Sequence, residues 1–192
     1  SGGQITFDTT VNSEGSETNN LTVTASELQV DGIIGGTQTL GAISITGILD
    51  LNAAISNATS LSVSSTSNLG ADVTTTGDQT YSGAAVLSAN VILTTTANGS
   101  VYFGSTLDGG YNLNITTNGT GDVTFSNTIG ASSAIKSLTV TSTGDIYVAN
   151  NINLLIKKRK KVKIFQVYHW KNLGDYFSYN QYIYWKNFFL KK

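Results

Sequence analysis

The chain has 192 residues, 12% of them charged, with no Cys, no Pro, no Met and a single His. Disulfides, thiolate metal sites and thiol chemistry are excluded, and one imidazole, His169, argues against a His-based triad or a multi-His metal cluster. The formal net charge of −1 hides a split, because residues 1–156 hold one base, Lys136, against eleven acids, while residues 157–192 hold the other ten bases against Asp175 alone.

Ser and Thr also nearly vanish after position 153, where aromatic residues crowd in. A break of this size marks a boundary between a body, 1–153, and a tail, 154–192. The chain starts at Ser1 without an apolar leader, which reads as an interior piece or a processed product. No run approaches the roughly 20 apolar residues of a membrane helix, so the body is not expected to insert into a membrane.

The first element is GQITFDTTV (3–11), followed by LTV (21–23). Residues 35–75 hold strand-like apolar positions, Ile43, Ile45, Ile48, Leu49, Leu61, Val63 and Val73, without a readable register. GSVYFGSTL (99–107) then repeats the first element and is followed by LNI (113–115). GDVTFSNTI (121–129) repeats it again, with LTV (138–140) after it, and GDIYVANNI (144–152) puts Val148 in the Phe place. The steps Phe7 to Val30, Tyr81 to Phe103, Phe103 to Phe125 and Phe125 to Val148 are all 22 or 23 residues. A repeat of that length is a solenoid signal.

Within each element the alternation has period two. In Leu138-Thr139-Val140-Thr141 and Leu21-Thr22-Val23-Thr24 the aliphatics point one way and the threonines the other. Strands of three to five residues cannot persist alone, but stacked coils turn their inward positions into ladders, each fully buried side chain contributing roughly 1.5–3 kcal/mol. Gly-Asp at 77–78, 121–122 and 144–145, Asn-Gly at 98–99 and 118–119, and Gly-Gly at 35–36 and 109–110 supply the corners. An antiparallel sandwich would explain alternation and turns but not whole recurring units. The expected fold is therefore all-β: a right-handed parallel β-helix with coils of about 22–23 residues, about seven turns and on the order of 30–35 Å long. Phe7, Phe103 and Phe125 are expected inward at equivalent coil positions.

The stretches 74–125 and 121–148 resemble the repeats of filamentous-haemagglutinin-like exoproteins and autotransporter passengers of bacteria. The likeness rests on repeat pattern and composition and covers most of residues 3–153. It implies a secreted or cell-surface rod, an internal slice of a longer adhesin, whose partner is a host-surface glycan or protein.

Catalytic, cofactor-binding and metal-ligating residues are not assigned, no cofactor is expected, and the protein is expected not to be an enzyme. A calcium loop needs a dense carboxylate run and a glycine-aspartate nonapeptide, neither of which occurs. The alternative is a polysaccharide-acting β-helix enzyme, hydrolase or lyase, in which Asp122 and Asp145, one coil apart, stack at a separation near that of a retaining glycosidase. With one Lys and no Arg in the body, an anionic sugar is a poor substrate. A second alternative is an ice-binding solenoid using Thr22-Val23-Thr24 and Thr139-Val140-Thr141, which Asn114-Ile115-Thr116 interrupts. Five Asn-x-Ser/Thr triplets, beginning at 20, 57, 98, 114 and 118, read as turn and stacking residues before glycosylation sites.

The tail opens with LLIKKRKKVK (154–163), whose basic cluster could meet an anionic membrane. Nucleic acid is not expected as a partner. Its Lys, Asn, Phe, Ile and Tyr menu also suits an out-of-frame end, and its aromatics suit a cap on the last coil. Residues after about 160 are expected to pack non-specifically and to contribute no site.

Overall fold

The computed structural model describes residues 2–154, and everything expected of the tail beyond Leu154 lies outside them. Fifteen strands follow in chain order: β1 (Gln4–Phe7), β2 (Leu21–Val30), β3 (Leu40–Leu51), β4 (Ile55–Val63), β5 (Ser67–Leu69), β6 (Val73–Thr75), β7 (Gln79–Tyr81), β8 (Ala85–Leu87), β9 (Val91–Thr95), β10 (Val101–Phe103), β11 (Leu107–Asp108), β12 (Asn112–Thr117), β13 (Val123–Phe125), β14 (Ser137–Ser142) and β15 (Ile146–Val148). All strand pairings among the described residues are parallel. The chain winds as a right-handed β-solenoid of about seven turns.

Each turn has three faces. On the first, the inward ladder runs Val23–Ile45–Val63–Tyr81–Phe103–Phe125–Val148. On the second it runs Phe7–Val30–Leu51–Leu69–Leu87. On the third it runs Val11–Ile34–Ile55–Val73–Leu93–Ile115–Val140. These ladders meet in one apolar core, because period-two alternation sends every second side chain to the axis, and only Val148, at the end of the first ladder, stands exposed. Tyr81, Phe103 and Phe125 stack through it, with ring centroids 5.0 and 5.3 Å apart.

Two expectations are corrected. Phe7 is not equivalent to Phe103 and Phe125: it pairs with Val30 on the second face and is half-buried, whereas the other two are buried on the first. All three faces demand the same alternation of inward and outward residues, so a nine-residue match does not reveal which face a strand occupies. The coil length also varies. Along the first face the steps are 22, 18, 18, 22, 22 and 23 residues, which is why residues 35–75 kept no 22-residue register.

The difference arises on either side of the third face. Leu69 to Val73 takes four residues where Leu87 to Leu93 takes six, and Thr75 to Tyr81 takes six where Thr95 to Phe103 takes eight. Strands β2, β3 and β4 are 10, 12 and 9 residues long because they continue round a corner. β2 and β3 pass it with a register shift between Thr24 and Glu27. Gly47 sits there at φ +135°, where a Cβ would run into the Ala25 carbonyl.

Candidate functional site

The corner entering the first face is built from three columns. Gly77, Gly99, Gly121 and Gly144 lie one above another, so close that a Cβ on any of the last three would meet the backbone of the glycine below. Beneath them, Thr75, Thr95 and Thr117 are buried, and each donates its hydroxyl to a corner carbonyl, of Gly77, Gly99 and Gly121, at 2.6, 2.6 and 2.9 Å. Ser142 donates to Gly121 as well, at 2.9 Å. A buried carbonyl that the ladder leaves unpaired is thus satisfied by a hydroxyl from its own coil or the next.

The third column holds the sequence candidates. Asp78 Oδ1 accepts the Ser100 N–H at 2.8 Å, Ser100 Oγ accepts the Asp122 N–H at 3.0 Å, and Asp122 Oδ1 accepts the Asp145 N–H at 2.7 Å. Asp122 and Asp145 are therefore brought to adjacent coils, as the spacing predicted. The contact between them runs from carboxylate to backbone. Asp145 Oδ2 in turn accepts the Tyr147 hydroxyl at 2.9 Å. That hydrogen bond, the Asp145 charge, slight burial and the Asp122 charge together raise the Tyr147 phenol above its ordinary value. The same inter-coil bond recurs elsewhere: Asp72 accepts from Ile92 N–H, Asn90 from Asn112 N–H, and Asp108 from Ser132 and Ser133 N–H.

The outward side of the first face carries a row that the sequence pattern did not bring forward. Thr22, Ser44, Ser62, Thr80, Tyr102, Thr124 and Tyr147 stand in register, one hydroxyl per coil. Tyr102 leans over Gly104, where a Cβ would come within 3.0 Å of its Cε1, and Tyr147 leans the other way to Asp145. The signal that would have found the row is the 22- and 23-residue spacing of Tyr102, Thr124 and Tyr147. The second face is different, an amide and carboxylate network in which Asn52 donates to Asp31 and Asp50, Asn68 to Asp50, and Gln29 to Asp31.

Of the glycosylation triplets, Asn20, Asn57 and Asn98 use their side chains between coils, bonding Ala42 N–H, Thr39 Oγ1 and Thr120 N–H. The triplets Thr22-Val23-Thr24 and Thr139-Val140-Thr141 prove to lie on different faces, the first and the third, and do not belong to one array. Among the described residues there is no group of three or more His, Cys, Asp or Glu side chains placed to hold a metal ion. No helix among them is long and apolar enough to cross a membrane.

The fold and these surfaces define a parallel β-solenoid with uncharged hydroxyl rows and acidic corners. No family model matches the chain, and no curated protein or solved structure matches it.

Proposed function

We propose that the chain is a non-catalytic stalk or adhesive surface segment of a large secreted bacterial adhesin of the filamentous-haemagglutinin-like kind, working outside the cell or on its surface. The observation that carries this reading is the first face. Seven hydroxyl-bearing residues stand in one unbroken outward row, Tyr102 and Tyr147 among them, over a core of continuous ladders. Such a row offers donors and acceptors without charge along a stiff axis. That suits a neutral host-surface glycan or a protein loop better than an anionic chain, which the eleven acids of the body would repel.

The second reading is a polysaccharide-acting enzyme using Asp122 and Asp145, favoured by the hydrogen bond that joins them across coils. In that bond one carboxylate oxygen already serves as a corner acceptor, which draws it away from acid–base work. One experiment separates the two. The full chain is incubated with neutral and acidic glycans and assayed for new reducing ends, and in parallel tested on a glycan array and on host cells. Binding without turnover, weakened by Tyr102→Ala, is the expected result. Turnover that disappears in Asp122→Asn would overturn the proposal.

A further inference from the structure

The third face presents a second, more regular surface. Its inward ladder at the corner runs Leu40–Ala58–Thr75–Thr95–Thr117–Ser142. The residues on either side of each position point outward, and in the last four coils they are Thr74 and Thr76, Thr94 and Thr96, Thr116 and Asn118, Thr141 and Thr143. Seven of these eight outward positions are threonine and none is charged. The triplets that make them, TTT, TTT, TTN and TST, were hidden because their middle residue is itself a hydroxyl amino acid that turns inward.

We propose that this grid is an ice-binding surface, a function separate from the adhesive reading. One threonine on a strand needs no explanation beyond β-propensity. A two-column array stacked coil on coil does, because its first column repeats a methyl and a hydroxyl in strict parallel register at about 4.8 Å along the axis. Its second column follows in the bend beyond each strand, where Thr96 N–H, Ala97 N–H and Asn118 N–H still bond the Thr75, Thr76 and Thr95 carbonyls of the coil below. The axial interval lies close to an oxygen repeat of hexagonal ice. The pairs from Thr74 to Thr94, Thr94 to Thr116 and Thr116 to Thr141 run without a register shift.

The second column is also locked in place. Thr76 donates its hydroxyl to the Thr59 carbonyl at 3.3 Å, Thr96 to the Thr75 carbonyl at 3.4 Å, and Thr143 to the Gly119 carbonyl. Each bond restrains a rotamer and leaves the oxygen able to accept from water, so less side-chain entropy remains to be lost when water orders against it. No ion pair or charge in the grid has to be desolvated.

The test uses the full chain, with ice recrystallisation and freezing-point hysteresis as readouts and circular dichroism as the fold control. The folded chain is expected to suppress recrystallisation and to shape ice crystals. Thr94→Lys, which drives a long charged side chain out of the centre of the grid, is expected to abolish most of that activity. Thr116→Lys does the same one coil on and serves if the first variant fails to fold. Thr80→Lys, on the first face, is expected to leave the activity intact. A folded chain without activity on ice overturns the proposal, and so does a loss in Thr80→Lys equal to that in Thr94→Lys.

Discussion

Three buried hydroxyls in this core have opposite standing. Thr117 and Thr95 reach corner carbonyls at 2.9 and 2.6 Å, whereas the fully buried Ser67 Oγ has no hydrogen-bond partner. Thr117→Val keeps the shape and removes one hydrogen bond, leaving Ser142 as the donor to the Gly121 carbonyl, so a loss of about 0.5–1.5 kcal/mol is expected. Ser67→Ala removes an uncompensated polar group and is expected to be neutral or mildly stabilising. Paired denaturant melts check both signs, and a Ser67→Ala loss as large as that of Thr117→Val would contradict them. Tyr81 is a further case. Its phenol donates to Gln79 Oε1 at 3.2 Å inside the core, and burial raises it well above its ordinary value of 10.0. The fold keeps a proton there that the unfolded chain releases once the pH passes about 10. The stability associated with that proton is therefore complete below this pH and falls as the pH climbs beyond it. Denaturant midpoints taken on both sides of this pH should decline in the parent chain and decline less in Tyr81→Phe.

The strands of the first face differ from those of the second in what their ladders can lose. Phe125 is fully buried beneath a parallel ring at 5.3 Å, so Phe125→Ala is expected to cost about 3–5 kcal/mol. Phe7 is only half-buried on another ladder, and Phe7→Ala should cost clearly less in the same melts. The aromatic stack was legible because Tyr81, Phe103 and Phe125 are separated by equal steps of 22 residues. The place of Phe7 was not, since strand alternation records burial and not which of three faces does the burying. The pairing of Asp122 with Asp145 followed from spacing alone, but their bonding did not, because a turn carboxylate and a catalytic one look alike until the N–H of the next coil is placed. The threonine grid escaped for a related reason: the inward Thr75, Thr95 and Thr117 break the apolar alternation by which strands are recognised.

At the scale of the whole molecule, each coil rests only on its neighbours, so stability is close to a sum of coil and interface contributions. Damage should then stay local. Gly121 is the sharpest place to inflict it, because an alanine Cβ would collide with the Gly99 carbonyl of the coil below. Neither backbone can retreat without breaking the Thr95 and Thr117 bonds to these glycines. Overpacking of this kind costs typically about 1–3 kcal/mol. In a globular core that loss would be shared by the whole domain, but in a solenoid it divides the rod at one interface. Hydrogen exchange on Gly121→Ala is expected to quicken in β12 to β15, which lie beyond the damaged interface where β12 pairs β9 and β13 pairs β10, while β2 to β8 keep their protection. Exchange rising equally in β3 and in β13 would mean that the coils unfold as one cooperative unit and would refute this one-dimensional account.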